Sequence, residues 1–335
     1  MKLHPQNQPH IRTRESNQTL MADVIIALVP LYAMAAYFYG KRVLVLGAFS
    51  VAATVLIDFI CTALRHQVPN IRDHSNIITG MIIPLLLPAS VRYEVIFVAV
   101  LFAVAVTKHP FGGVGQNIFN PAASGVAFAT VCFPRSVFFY PIPFDPLPII
   151  IEERIRLVFS PAYTLLLGGV PHNDPLDMLL GNFPGPMGAT NILVLLTCLL
   201  FLAVRKSISF LMTASYIAGF SLIAAFYPRA MVSPLQSVYY ELMSGIVLIC
   251  AVFLINDPVT SPKRQSVRIV YGFLAGVVCM AFRKIGRYEE SVLFALLIMN
   301  AMVWSFDMVG EILIHRFRRN KFELEESKEV PEDSE

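Results

Sequence analysis

Charged residues are scarce in this sequence. Asp, Glu, Lys and Arg make up only 15% of its 335 residues, whereas soluble domains carry about 25%. Hydrophobic residues account for 56%, and the mean hydropathy is +0.63. A soluble core does not need this much apolar surface, but a bundle of helices that faces lipid does. The composition therefore indicates an integral membrane protein, and the net charge of +3 gives no sign of a nucleic-acid partner.

Metal-binding patterns are also missing from the sequence. The five cysteines lie in or at the end of apolar runs, and no two form a Cys-x-x-Cys pair. This argues against an iron–sulfur cluster, a c-type haem or a zinc site held by this chain alone. The seven histidines lie outside the apolar runs or at their ends, so paired ligands for a membrane haem are absent. We expect no metal site and interpret the cysteines as small apolar residues in helix packing.

The polar start of the chain lacks the features of a signal peptide, because no short apolar region with a cleavage site follows it. We therefore expect residues 1–21 to form a cytoplasmic segment and the first apolar run to remain as a membrane span. At the other end, we expect residues 316–335 to form a charged cytoplasmic tail. Its Glu-rich part, 321–335, is typical of a solvated, disordered end.

Between these ends lie ten apolar runs. Runs of 18 or more residues can cross a bilayer as helices. The third, fifth and eighth runs are shorter, and Pro84 and Pro88 interrupt the third, so we expect broken or partial helices that line a site inside the bundle. The pattern predicts an all-α integral membrane protein with about ten transmembrane helices. The runs are 22–39, 43–61, 77–89, 93–106, 121–134, 188–204, 208–227, 242–255, 267–282 and 291–310.

The distribution of Lys and Arg predicts the orientation. With ten spans, both termini lie on one side, and the connections of that side hold 16 of the 26 Lys and Arg residues. Cytoplasmic connections are enriched in these residues, so the termini are predicted to be cytoplasmic, although a basic cluster at 283–287 works against this. We expect one membrane domain at 22–315. Its first repeat would cover 22–134, an exterior connection 135–187, and its second repeat 188–315.

A short internal match supports this division. Residues 78–82 open the third run with Thr79-Gly80, and residues 243–247 open the eighth with Ser244-Gly245. Each run is the third in a set of five, and two sets of five must insert with opposite orientation. This is the pattern of inverted repeats with a site at their interface. One short match is also compatible with chance.

The segment 108–122 is rich in glycine. Three glycines allow positive φ and close approach of the backbone, Asn117 and Asn120 supply donors and acceptors without charge, and Pro121 can start a helix. We interpret the segment as a loop that dips into the membrane and holds a polar planar ligand. The alternative is an ordinary tight turn capped by asparagine.

A second polar segment, 255–262, ends the eighth run at the corresponding position of the second half. Asp257 sits at the membrane edge, with Thr260 and Ser261 nearby. These residues are suited to binding a cation or a ring system. The alternative is a helix stop followed by a proline turn.

A third segment of small residues, 180–191, precedes the sixth run. A turn of this kind at a helix start makes an anion site, because free backbone N–H groups and the helix dipole face outward. We expect a phosphate site near Thr190, with a simple N-cap by Thr190 or Asn191 as the alternative.

Two aspartates, Asp58 and Asp307, lie inside apolar runs. Charge there is costly and usually marks a pathway or a partner. For Asp58, which is near the end of its run, an interfacial position is the alternative.

Four of these segments together resemble the RnfD/NqrB family, the membrane flavin subunits of the Rnf and Nqr respiratory complexes. They are Thr79-Gly80-Met81, residues 112–122, Gly188-Ala189-Thr190 and residues 257–262. The resemblance covers nearly the whole chain, and the short amino-terminal segment is more similar to RnfD. It implies two inverted five-helix repeats with an architecture like that of urea and ammonium channels.

The resemblance also implies a cofactor. In that family a flavin transferase attaches FMN through its phosphate to a Thr hydroxyl, and the matching residue is Thr190. Riboflavin or a second, non-covalent flavin is a further expectation, and no catalytic residue or metal ligand is implied. Around Thr190 the chain departs from the hydroxyl residue or Glu that the family often has there. The implied cofactor-binding residues are Thr190, Gly188, Ala189, Asn117, Asn120, Thr79, Asp257 and Thr260.

The implied function is that of an electron carrier. The chain would be part of an ion-translocating oxidoreductase in a bacterial or archaeal cytoplasmic membrane, with no independent activity. Its partners would be the A, B, C, E and G subunits of the Rnf complex, especially the FMN-bearing G subunit, besides membrane lipid. The complex would couple electron transfer between ferredoxin and NAD to movement of Na⁺ or H⁺. The alternative is a solute channel or transporter of the same architecture with no redox role.

Overall fold

A computed structural model describes residues 17–66, 73–113, 115–150 and 155–329. Within these residues the fold is mostly helical, with a single short pair of strands. The elements of the first half are α1 (Asn17–Tyr39), α2 (Arg42–Leu64), α3 (Ser75–Leu85), α4 (Tyr93–Leu101), a π-helical stretch (Phe102–Lys108), α5 (Pro121–Cys132) and α6 (Pro134–Val137). The connection that follows contains β1 (Tyr140–Pro141), β2 (Leu157–Val158), α7 (Pro161–Leu166) and α8 (Pro175–Leu180). The second half contains α9 (Ile192–Val204), α10 (Phe210–Phe226), α11 (Pro234–Met243), α12 (Val247–Ile249), a second π-helical stretch (Cys250–Leu254), α13 (Gln265–Ile285) and α14 (Val292–Glu329).

In the described part of the chain, four helices are long and apolar enough to cross a membrane, namely α1, α2, α13 and the part of α14 at Val292–Leu313. A fifth candidate is α11 together with the helical segment Val247–Leu254, which meet at a bend of 72°. The chain is therefore a multi-pass membrane protein with four or five candidate spans by length and composition. Every predicted apolar run contains a helical segment, but ten crossings and two inverted repeats remain predictions.

The interrupted runs differ from one another in the structure. The third run is helical only as far as Leu85, one residue beyond Pro84. The eighth run is broken at 244–246, where Gly245 has a φ of +74°. The fifth run is a single unbroken helix of 12 residues. Broken helices are thus present in two of the three short runs.

Two expectations about helix ends were wrong. The sixth run becomes helical at Ile192 rather than at 188, because residues 187–189 direct their backbone N–H groups elsewhere. The expected disorder of the tail is contradicted at 321–329, where the backbone continues α14 as far as Glu329. The charged residues of this stretch have no helix-breaking Gly or Pro among them before Pro331, which explains why the helix continues. Residues 330–335 lie outside the described part.

The connection between the two halves folds back onto the bundle. β1 and β2 pair antiparallel, with Tyr140 opposite Val158. Arg42, at the start of α2, is fully buried and donates to the carbonyls of Ala89 at 2.9 Å, Val91 at 2.7 Å and Pro148 at 3.3 Å. One guanidinium therefore ties α2, the turn after α3 and the connection together.

Polar contacts gather at two ends of the bundle. At the first polar end, Asp23 pairs with Arg205, Asp58 with Lys108, and Asn120 with Asp257. At the second polar end, Tyr140 meets Glu289 and Arg229 meets Glu241. Each of these contacts joins segments that the alternating ten-span prediction places at the same end.

Candidate functional site

The Gly-rich loop and the second polar segment meet at Asn120. The Asn120 side chain caps α5 by accepting from the Ala123 N–H at 3.1 Å, and its amide donates to the Asp257 carboxylate at 3.1 Å. The Thr260 hydroxyl donates to the same carboxylate oxygen at 3.1 Å. The predicted pair of loops is therefore brought together, with Asn120, Asp257 and Thr260 in direct contact.

A fourth residue, Asn300 of α14, completes this cluster. It accepts from the Asn120 backbone N–H at 3.2 Å and donates to the Thr260 carbonyl at 3.2 Å. It also lies 3.3 Å from the Tyr271 hydroxyl. Sequence reasoning missed Asn300. The available signal was an asparagine in the middle of an apolar run, which usually means a hydrogen-bonded position between helices.

The Asp257 carboxylate is held by neutral donors. The Asn120 amide, the Thr260 hydroxyl and the Val259 backbone N–H, at 3.1 Å, all point to it. Burial nevertheless raises the pKa of Asp257 above its ordinary value, while these three hydrogen bonds act in the opposite direction. The arrangement holds the start of α5 against α13 and α14, and it places a titratable carboxyl at the junction of the two halves.

Other predicted residues lie apart from this cluster. The Asn117 amide donates to the Phe119 carbonyl at 3.1 Å, and Thr79 is half-buried on α3. Among the described residues, no hydrogen bond joins either side chain to Asp257. The loop glycines 112, 113 and 115 have φ values of +121°, +96° and +80°, as the sequence led us to expect.

The Gly-rich loop is anchored by an ionic group at its start. The Lys108 ammonium donates to the side-chain oxygen Oδ1 of Asn76 at 2.6 Å and lies 3.1 Å from Asp73 and 3.2 Å from Asp58. The imidazole of His109 contacts Asp58 at 2.9 Å. Asp58 thus has partners within the chain, as the first interpretation of a charged residue in an apolar run expects. Asp307, the other aspartate of an apolar run, accepts from the Lys263 backbone N–H at 3.1 Å.

The segment that contains Thr190 lies at the other end of the bundle, against α3. The N–H groups of Met187 and Gly188 donate to the Leu87 and Leu85 carbonyls at 3.0 and 2.8 Å. The Ala189 N–H donates to Pro186 at 3.0 Å. Asn191 is the N-cap of α9 and accepts from Val194 at 3.0 Å. The simple N-cap, one of the two alternatives, is therefore present at Asn191. The N–H groups of residues 187–189, which precede Thr190, are engaged within the chain.

One protein family matches nearly the whole chain. The sequence model of the NQR2, RnfD, RnfE family matches residues 4–311. The chain belongs to the NQR2, RnfD, RnfE family. This result confirms the resemblance inferred from the Gly-rich loop and the three other segments, and it covers both halves and the connection between them.

Similar proteins come from several bacteria. The chain is 28% identical over 321 residues to the D subunit of the Na⁺-translocating ferredoxin:NAD⁺ oxidoreductase complex of Acetobacterium woodii, covering 96% of this chain and 95% of that protein. It is 27% identical over 331 residues to the D subunit of the ion-translocating oxidoreductase complex of Actinobacillus succinogenes, covering 89% and 93%. The equivalent protein of Vibrio cholerae is 26% identical over 332 residues, covering 89% and 94%.

The surroundings of Thr190 bear on the FMN that the family resemblance implies. The hydroxyl has the right chemistry for a phosphoester, but the residue is only 1% exposed. A Cβ added at Gly185 would lie 2.9 Å from the Thr190 methyl group, and one at Gly181 would lie 3.0 Å from the Thr190 carbonyl carbon. The turn 181–188 thus packs closely on the methyl group and the backbone of Thr190. Because the whole residue is only 1% exposed, its hydroxyl has no free surface for a phosphoryl group, and attachment requires the residues around Thr190 to move.

Proposed function

We propose that this chain is the D-type membrane subunit of an Rnf-type ion-translocating electron transport complex. The observation that carries the proposal is the family match over residues 4–311. The similar proteins named as D subunits align along almost their whole length, which makes an equivalent place in an assembly more plausible than reuse of a fragment. The candidate spans agree with a protein that works inside a membrane.

The proposal extends to the partners and the setting. The chain would assemble with the A, B, C, E and G subunits of the Rnf complex in the cytoplasmic membrane, with its termini on the cytoplasmic side. The complex would couple electron transfer between ferredoxin and NAD to Na⁺ or H⁺ movement. The support for the reaction is the name of the Acetobacterium woodii relative. The support for the orientation is the bias of Lys and Arg residues.

Covalent FMN at Thr190 is the finer part of the proposal. Its support is the Gly188-Ala189-Thr190 triplet in a chain of this family and the phosphoester chemistry of the hydroxyl. Because Thr190 is covered, the proposal requires the residues that surround it to move when the flavin transferase acts. The protein's part would be to place the flavin and set its potential, since the flavin itself supplies the redox chemistry.

The function is tested by flavin retention. The chain is produced together with its flavin transferase, purified and denatured, and the gel band is inspected for flavin fluorescence. Fluorescence that stays with the denatured band supports the carrier function. A colourless protein that moves a solute in liposomes would contradict it and favour a channel or transporter.

A further inference from the structure

Five ionisable side chains are buried together at the second polar end. They come from three separate parts of the chain: the turn after α10, the broken pair α11–α12, and α13 with the loop 286–291. Their side chains are between 0% and 6% exposed. The cluster consists of Arg229, Glu241, Arg283, Glu289 and Glu290.

One carboxylate of this cluster, that of Glu241, is fully paired with an arginine. Arg229 contacts Glu241 through two parallel hydrogen bonds of 2.6 and 2.7 Å. A bidentate pair of this kind holds both partners in their charged forms. Arg283 lies farther from Glu241, with Nε 3.6 Å from the carboxylate, and donates to the Glu241 carbonyl at 2.9 Å. Glu241 and Arg229 therefore neutralise each other.

Arg283 then faces two carboxyl groups. Its guanidinium lies 3.7 Å from the Glu290 carboxyl, and its charge also acts on Glu289, the preceding residue of the same loop. One positive charge cannot balance two negative charges, and uncompensated charge in a water-poor place is costly. The cluster is electrically neutral only when Glu289 and Glu290 share one proton.

The contacts of Glu290 agree with a protonated pair. Among the described residues, neither of its oxygens has a hydrogen-bond partner of normal geometry, although Glu290 is only 6% exposed. Its closest polar neighbours are the Arg283 guanidinium and the backbone amide of Ile246. The carboxyl packs over Gly245, where any Cβ would overlap it. An ionised carboxylate in such a place normally collects donors, whereas a neutral acid needs fewer.

Glu289 lies beneath the connection between the two halves. Its two oxygens accept from the Tyr140 hydroxyl at 2.6 Å and the Ser160 hydroxyl at 3.0 Å. Both hydroxyls belong to the connection 135–187, which covers the pair from outside the bundle. The other titratable and charged groups that face the pair are Arg229, Glu241, Arg283, Cys250 of the second π-helical stretch, and Tyr39 behind Tyr140.

We propose that Glu289 and Glu290 together form a proton-binding site that holds one exchangeable proton at the second polar end of the bundle. The proton comes from water and binds one carboxylate oxygen, converting that carboxylate to the neutral acid. It belongs to the pair rather than to either residue, because two strongly interacting sites titrate together. The site depends only on side chains of this chain, so it stands independently of the flavin and of electron transfer.

Infrared difference spectroscopy of the full-length protein during a pH titration tests the proposal. The C=O stretch of a protonated carboxylic acid should be present at neutral pH and disappear in alkali, with the loss of one proton per chain. Glu289→Gln and Glu290→Gln should each remove this band, because one remaining carboxylate pairs with Arg283 and stays ionised. The exposed Glu94→Gln variant is the matched control and should keep the band.

A second variant covers the case in which the two glutamine variants fail to fold. Tyr140→Phe removes a donor that stabilises ionised Glu289. The pH at which half of the band is lost should therefore rise by about half to one unit. A band that persists in both glutamine variants, or a midpoint that does not move in Tyr140→Phe, would overturn the proposal.

Discussion

At Asn120, one side chain performs two tasks. Its carbonyl oxygen caps α5, and its amide holds Asp257, which belongs to the other half of the chain. Replacing Asn120 by leucine removes the cap, which costs about 0.5–2 kcal/mol, and leaves a carboxylate oxygen with one donor fewer.

We expect Asn120→Leu to impair electron transfer by the complex while assembly is largely retained. Asn173→Leu is the control, because it changes an asparagine of the connection between the halves, away from this cluster. Electron-transfer rates in membranes that hold equal amounts of complex would show the difference. If Asn120→Leu is as active as the wild type, the two loops form a plain structural junction.

Glu289 makes stability depend on pH. Burial, partly opposed by hydrogen bonds from Tyr140 and Ser160, raises its pKa from 4.5 to about 8. An unfolded chain releases this proton near pH 4.5, whereas the folded protein keeps it until about pH 8. The folded state therefore binds more protons in this window, and the free energy of unfolding falls as the pH rises through it.

We expect the Tm of the wild type to fall between pH 5 and 8 more steeply than that of Glu289→Gln, which has no proton to lose at this position. Thermal unfolding in detergent at several pH values measures both slopes. Equal slopes in the two proteins would show that Glu289 is ionised throughout this range.

Single residues differ in how well the sequence predicts them. The sequence placed Asn120 and Asp257 in polar loops at corresponding places of the two halves, and the structure adds the hydrogen bond between them. The buried cluster around Glu289 was not predicted. Two adjacent glutamates in a short loop look solvated, and their burial depends on Tyr140, Ser160 and Glu241, which are more than 40 residues away along the chain.

At the scale of elements, α10 and α13 are packed through glycine. Gly219 lies against the Phe273 backbone, and Gly276 lies against the Tyr216 and Phe220 backbones so closely that no Cβ would fit. Small residues let helix backbones approach in this way, and in a membrane such packing replaces the hydrophobic driving force. The contact between these two helices therefore depends on Gly219 and Gly276 having no side chain.

We expect Gly276→Leu to separate α10 from α13 and to lower the free energy of unfolding by at least about 1–3 kcal/mol, the usual cost of overpacking. Ala218→Leu is the matched control, because Ala218 is exposed on α10. The Tm of each variant in detergent checks the expectation. Similar Tm values for the two variants would contradict the close helix contact.

Element boundaries show what hydrophobic runs can and cannot predict. The runs located the helices well, because apolar length sets where a helix can cross a bilayer. They misplaced the start of α9, because the backbone N–H groups of 187–189 bond to α3 and the preceding turn, which only tertiary structure reveals. The two π-helical stretches have no sequence signature in composition or period.

At the scale of the whole molecule, the alternating ten-span prediction and the contacts of the structure agree in one respect. The side chains of Asp23, Lys108 and Asn120 meet partners at the first polar end, and Tyr140 and Arg229 meet theirs at the second. All five contacts are therefore compatible with ten alternating crossings. The number of crossings and the orientation stay predictions that an experiment can decide.

Reporter fusions test this topology. A reporter at Asn173, in the connection between the halves, and one at Glu335 should lie on opposite sides of the membrane, with Glu335 cytoplasmic. A third fusion at Lys206, between α9 and α10, should give the same side as Glu335. If Asn173 and Glu335 give the same side, the ten-span arrangement is wrong.

The covalent flavin is the central claim for the whole molecule, and peptide mass spectrometry at Thr190 tests it most directly. The fully assembled complex, made alongside its flavin transferase, should yield a Thr190 peptide that carries the mass of one FMN. Thr190→Val keeps the shape of the side chain and removes the oxygen, so its peptide should be unmodified while the bundle still folds, whereas Thr190→Ser keeps a hydroxyl for attachment. Unmodified Thr190 in an active, fully assembled complex would contradict the covalent flavin.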